Sequence, residues 1–228
     1  MNFYRAPTDN DRGWGMPDRC KAWREATATQ KIPDGCSSKL AVKDIGEKRL
    51  AVDWSFTVSP EQAGKELGPI PRVGLSFRIP KTFTRVKWYG MGPHENYCDR
   101  VKGAWLGVHE ATIGMNGESR LNPENYTEPG EQGYRIGCRW IEFSDDAGKV
   151  IRITALNAPI GFNAWPYTQE ALDDAKHEYD LTPADEITVN IDAAQMGVGG
   201  DNSWGARPHE PYMLGAGDYK LEFIVEGL

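Results

Sequence analysis

The sequence predicts an all-β protein built from antiparallel strands. Three observations lead there: repeated two-residue alternation of apolar and polar positions, turn residues between the alternating runs, and scarcity of helical periodicity. With 228 residues the chain is long enough to bury a sizeable core without disulfides or metals, and it is read as one domain, residues 1–228.

Residues 3–36 are rich in Asp, Gly, Pro and Arg and read as irregular, with Trp14 and Trp23 as anchors and a short helix expected around Asp18 to Thr27. Strand character begins at Leu50, where Leu50, Val52, Trp54, Phe56 and Val58 alternate with polar or small residues. That period puts one face of a strand in a core. Val73, Leu75, Phe77 and Ile79 repeat the pattern, and Thr84, Val86 and Trp88 continue it. Tyr134, Ile136, Cys138 and Trp140 predict a further strand, Asp145-Asp-Ala-Gly148 a hairpin turn, and Val150 to Leu156 the return strand. Phe162 to Tyr167 is strand-like, and Thr168 caps the one helix with a clear face, carrying Leu172, Ala175 and Tyr179. Ile187 to Asp192 and then Asp218 to Val225 are strands, the last expected to close the sheet.

Composition narrows the function. A net charge of -7 offers no basic face for phosphates, which argues against nucleic acid as a partner. No apolar run is long enough to span a bilayer, so the expectation is a soluble protein without a membrane partner. No signal peptide follows Met1; the compartment is expected to be cytoplasmic or periplasmic, and an oligomer is compatible with the composition. Cys20, Cys36, Cys98 and Cys138 have no metal-ligand spacing and read as free thiols, with a Cys20–Cys36 bridge conceivable in an exported protein. Asp9, Asp11 and Asp201 are acidic but unorganised, so no metal site and no cofactor is assigned to this chain.

The stretch that most invites a function is Met196-Gly-Val-Gly-Gly-Asp-Asn-Ser-Trp204. Its glycines permit unusual backbone angles, and Asp201 and Asn202 favour turns. A tryptophan delivered at the end of such a loop can stack on the apolar face of a sugar, with Asp201, Asn202 and Ser203 offering hydrogen bonds to hydroxyls. The competing reading is a turn whose tryptophan folds back onto the core. His94, His109, His177 and His209 are the only histidines, and His177, at a helix end, reads as a structural hydrogen-bonder. Glu95, Asp99 and Arg100 read as a local ion-pair network organising a turn, and Glu131 with Arg135 as a bridge between strand ends.

Five ordered stretches resemble the terminal β domain of glycoside hydrolase family 2 β-galactosidases. They are Arg5-Ala-Pro-Thr-Asp-Asn-Asp11, Tyr89-Gly-Met-Gly-Pro-His-Glu-Asn-Tyr-Cys-Asp-Arg100, Tyr126-Thr-Glu-Pro-Gly-Glu-Gln-Gly-Tyr-Arg135, Tyr167-Thr168 with His177, and the loop ending in Trp204. Cys98 stands where proline is usual and Gln132 where asparagine is common. The resemblance implies an antiparallel supersandwich similar to galactose mutarotase, with its first strands missing from this chain. It also implies that Trp204 reaches into the active site of a neighbouring barrel domain and stacks on the leaving-group sugar. Both catalytic glutamates of that family belong to the barrel, so no catalytic residue is expected here and the isolated chain is expected to be inactive. The implied partners are a β-galactoside and the remaining domains of the same enzyme; Mg, Ca or Na would serve the full-length protein. A stand-alone mutarotase-like enzyme and a carbohydrate-binding module are the competing functions.

Overall fold

The computed structural model describes residues 1–61, 67–114, 119–122, 126–202 and 204–228. Among them the strands form two antiparallel sheets packed face to face. The strands are β1 (Cys36–Gly46), β2 (Arg49–Val58), β3 (Arg72–Pro80), β4 (Arg85–Gly92), β5 (Trp105–Thr112), β6 (Arg135–Cys138), β7 (Trp140–Ser144), β8 (Val150–Ala155), β9 (Ile160–Trp165), β10 (Glu186–Gln195) and β11 (Gly217–Gly227). One sheet has the order β1-β2-β11-β8-β7-β4-β5 and the other β3-β10-β9-β6.

Alternation explains the packing. On β2, Val52, Trp54, Phe56 and Val58 are buried as expected, while Leu50 near the start of the strand is 43% exposed. Phe162 on β9 carries the contact between sheets, with its ring 5.8 Å from that of Trp88 on β4 and 6.4 Å from that of Phe143 on β7. The N-terminal segment lies on the same core, since Phe3 sits against Trp23, Trp54 and Phe56. All of β9 is buried on both faces, Asn163 included, which is hydrogen-bonded to Glu131 and Asn190.

Several expectations change. Residues 3–36 are not irregular: they hold α1 (Asp9–Gly13), α2 (Met16–Arg19) and α3 (Lys21–Thr29), the last burying Trp23 and Ala26. The expected helix at Asp18 to Thr27 is therefore two helices joined at Cys20. The helix after Thr168 is shorter than its pattern suggested. In α4 (Gln169–Asp174) Thr168 accepts from the Ala171 amide and Leu172 is buried, but the helix stops at Ala175. Tyr179 lies beyond it, 82% exposed and stacked on His177. The run Tyr134 to Trp140 is not one strand. It divides at Arg139, with β6 pairing β9 in one sheet and β7 pairing β4 and β8 in the other. Gly137, at φ 68, breaks the extended backbone where the chain crosses. Finally, β11 does not close the sheet but lies inside it, between β2 and β8.

The hairpin turn at Asp145–Gly148 forms as expected, with Asp145 Oδ1 accepting from the Lys149 amide at 2.9 Å. The four cysteines are free thiols. Because Phe162 is fully buried between two sheets, Phe162→Ala should lower the unfolding free energy by about 3–5 kcal/mol. A urea titration reads this as a lower midpoint at unchanged slope.

Candidate functional site

The loop from Met196 to Trp204 leaves the end of β10 and is held from below by two separate stretches, residues 5–11 and the turn carrying Asp99. Arg5 is completely buried and donates from Nη1 to the Met196 carbonyl at 2.6 Å and from Nη2 to the Gly197 carbonyl at 2.7 Å. The same guanidinium is gripped by both carboxylate oxygens of Asp11, at 3.0 and 2.8 Å. Asp11 is in turn fixed by a capping box with Thr8 at the start of α1. Asn10 adds a third donor, from Nδ2 to the Val198 carbonyl at 3.0 Å.

From the opposite side in sequence, Asp99 accepts from the amides of Val198 at 3.2 Å and Gly199 at 2.7 Å. A side chain at position 197 would collide with this carboxylate, so the glycine there is a requirement of close approach. Asp99 thus leaves the local ion-pair network expected for it and becomes a loop anchor. The pair Glu95–Arg100 does form; Glu95 also accepts from Tyr126 Oη at 2.9 Å and from the Gly133 amide at 2.8 Å.

At the tip, Trp204 is 84% exposed and does not fold back onto the core. The core-capping reading of this tryptophan is excluded by that exposure. Asn202 Oδ1 accepts from the amides of Trp204 at 3.1 Å and Ala206 at 3.2 Å, which shapes the turn that presents the ring. Asp201 Oδ1 lies 2.9 Å from His209 Nε2, both exposed. Ser203 lies outside the described residues. Asp201, Asn202 and Trp204 are therefore brought together, with the Asn202 oxygen already engaged in the turn.

Beneath the loop lies a second buried cluster that sequence reasoning missed. Arg72 on β3 donates from Nε to Asp192 on β10 and from Nη2 to Glu131, each at 3.0 Å, with all three side chains fully buried. Glu131 Oε1 also accepts from Asn163 and Gln195. The expected Glu131–Arg135 bridge is not made: Arg135 donates to the carbonyls of Leu121 and Tyr134 and lies over the Trp88 ring at 5.2 Å. Burial, opposed by Arg72, raises the Glu131 carboxyl above the usual range. Burial likewise raises that of Asp192 to about 7, with Arg72 pulling against it and Glu131 adding to it. Burial lowers the Arg135 guanidinium to about 10.

Among the described residues no group of three or more His, Cys, Asp and Glu side chains is arranged to hold a metal. Asp11 is consumed by Arg5, Asp9 faces Arg12 at 3.4 Å and Asp201 faces His209, so these three do not form a ligand set. No helix is long and apolar enough to cross a membrane.

Fold and loop together define a β-sandwich module with an outward-facing tryptophan. The chain belongs to the β-galactosidase small-chain family, whose model matches residues 1–225. It is 34% identical to the β-galactosidase of Streptococcus thermophilus over 249 aligned residues, which cover 100% of this chain and 23% of that protein. Similarity to the β-galactosidase of Priestia megaterium is also 34%, covering 100% of the chain and 23% of the relative. For that of Halalkalibacterium halodurans it is 33%, covering 98% and 23%. The chain thus spans 23% of the length of these relatives.

Two measurements check the site. Asp99→Ala should speed hydrogen exchange of the Val198 and Gly199 amides at least about tenfold, since a charge-assisted bond contributes about 1.5–3 kcal/mol; β10 amides should change far less. For Asp192 the raised folded value means that the native state holds a proton the unfolded chain has lost. Its contribution to stability is therefore complete below about pH 4 and is lost as pH rises towards 7. Unfolding free energy measured from pH 4 to 7 should accordingly fall less steeply, or rise more, in Asp192→Asn than in wild type.

Proposed function

We propose that the chain is the module of a β-galactosidase that walls the active-site cleft and supplies Trp204 to the leaving-group sugar. The observation that carries this reading is the Trp204 ring, 84% exposed at the end of a loop whose base is locked by Arg5, Asn10 and Asp99. An exposed indole costs apolar hydration unless something covers it, and a pyranose offers a matching flat C–H face. The rigid base means that little ordering free energy is lost when the ring engages.

Hydrolysis by a retaining route needs two carboxyl groups about 5 Å apart, one acting as nucleophile and one as acid–base. Glu95 is tied to Arg100, Tyr126 and Gly133, and Glu131 to Arg72, Asn163 and Gln195. Both are spoken for structurally, and the catalytic glutamates are assigned to the other domains of the complete enzyme. Any Mg, Ca or Na requirement is assigned there as well, because Asp9, Asp11 and Asp201 do not form a ligand set. The mutarotase-like reading needs a histidine and a carboxylate facing each other across a sugar. His209 and Asp201 face each other directly, in solvent, and His109 is packed between the rings of Trp88 and Trp105. Polarimetry on fresh galactose distinguishes this class, since the β-galactosidase module should not accelerate the change in rotation.

In the complete enzyme, Trp204→Ala should weaken binding of disaccharides or sugar acceptors by about tenfold, the scale of one lost stacking contact. Cleavage of a chromogenic β-galactoside at saturation should change much less; equal loss on every substrate would rule out the assigned role. Adding this chain to the folded remainder of the enzyme should restore hydrolysis, and a remainder that is fully active alone would rule out the cleft-wall role.

A further inference from the structure

The two sheets do not end together. β3 is the edge of the four-stranded sheet on the side where the seven-stranded sheet runs on through β2 to β1. The N-terminal residues show what lies opposite that edge. Asn2 pairs with Gly74 of β3 through two backbone bonds, of 2.8 and 3.0 Å, and Phe3 sets its ring on Trp54 and Phe56 of β2. On the other side of Asn2, the Met1 sulfur accepts from Ser38 Oγ on β1 at 3.3 Å. A chain running beside β3 therefore lies over β2 and β1.

The direction follows from two further contacts. The Ile70 amide donates to the Leu214 carbonyl, which puts the start of β3 by the start of β11, and Gly217 of β11 pairs with Val58 at the end of β2. Moving along β3 from Gly74 to Arg78 thus means moving back along β2 from Phe56 towards Leu50. Leu40 and Val42 on β1 pair with the buried Trp54 and Val52, so with Leu50 they stand on the core side of the larger sheet. Yet they are 50%, 58% and 43% exposed. The four-stranded sheet stops short of them.

The edge above this apolar strip is open as well. Gly74 turns both its N–H and its C=O to Asn2, and alternate residues of an antiparallel ladder point the same way, so Ser76 and Arg78 aim theirs outward. Among the described residues no other backbone group pairs with them there, and both are exposed. One added strand would satisfy the bare edge and cover the strip together. A second copy of the chain does not fit, because edge-to-edge approach at β3 would drive its own β1 and β2 into those of the first.

We propose that β3 receives an extended strand from the remainder of the β-galactosidase, which bonds to Ser76 and Arg78 and lays alternate apolar side chains on Leu40, Val42 and Leu50. Its outward-facing residue opposite Arg78 is acidic or neutral. The chain spans 23% of the length of its relatives, so an enzyme of their length has ample chain to supply the strand. The proposal rests on reading this chain as one part of such an enzyme; it does not depend on the role assigned to Trp204.

The test is backbone hydrogen exchange of the 228-residue chain, alone and with the folded remainder of the enzyme. Alone, the Ser76 and Arg78 amides should exchange freely, unlike those of Phe77 and Ile79, which face β10. In the complex, exchange at Ser76 and Arg78 should slow at least about tenfold. Ser76→Pro removes only an outward-facing donor and should weaken association at least about tenfold. Val42→Lys, at an exposed position, should weaken it too and serves if Ser76→Pro does not fold. Trp204→Ala should leave the protection of Ser76 and Arg78 in place. The proposal is overturned by association that leaves those two amides unprotected, by unchanged affinity in either edge or strip variant, or by protection in the isolated chain that grows with its concentration, which would assign the edge to a second copy. Association without protection leaves the reading of Trp204 standing, whereas failure of the wild-type chain to associate at all would overturn both.

Discussion

The buried guanidinium of Arg5 is the constraint on which the outward-facing loop depends. It neutralises Asp11 through two nitrogens and uses the remaining donors on two successive carbonyls, 191 and 192 residues away in sequence. A loop with three glycines in four positions has a large conformational entropy to lose. Carbonyl bonds to Arg5, amide bonds to Asp99 and the Asn10 bond to Val198 take both the donors and the acceptors of that backbone. The glycines then serve close approach rather than mobility. Removing one partner from a buried ion pair costs about 3–5 kcal/mol, so the base of the loop and the N-terminal segment stand or fall together.

The cluster of Arg72, Glu131 and Asp192 does the corresponding work one layer deeper. It joins β3 to β10 and joins both to the segment before β6, so the loop carrying Glu131 is registered against the four-stranded sheet. Two carboxylates share one guanidinium, and the imbalance appears as carboxyl groups that hold their protons unusually long. Such an arrangement adds little net stability over an apolar core, but it tolerates few alternative registers because every wrong pairing strands a charge.

Much of the fold was legible in the sequence, because period-two alternation on β2, β3 and β4 is a local signal read within ten residues. So was the place of Trp204 at the end of a glycine-rich loop. What escaped was non-local. Glu131 was matched to Arg135, four residues on, whereas its partner Arg72 lies 59 residues upstream on another strand. Asp99 was matched to its neighbours, whereas it reaches across about a hundred residues to Val198 and Gly199. The division of Tyr134 to Trp140 between two sheets was hidden because Tyr134, Ile136, Cys138 and Trp140 alternate straight across it, whereas the buried phase shifts at Arg139, from Cys138 to Ile141 and Phe143. β5 was missed because its apolar residues face outward: Trp105, Leu106 and Val108 are exposed.

The position of β11 bears on how the molecule is made. Without that strand the larger sheet is two ribbons, β1-β2 and β8-β7-β4-β5, that share no backbone pairing. Until β11 is made, the β2 edge of one ribbon and the β8 edge of the other are bare in addition to the β1 and β5 edges, and bare edges are templates for pairing with other chains. The two halves become one sheet only when residues 217 to 227 slot between them. Joining of the two ribbons therefore waits for β11, and a nascent chain stalled short of it holds two separate ribbons with the β2 and β8 edges open rather than one continuous sheet.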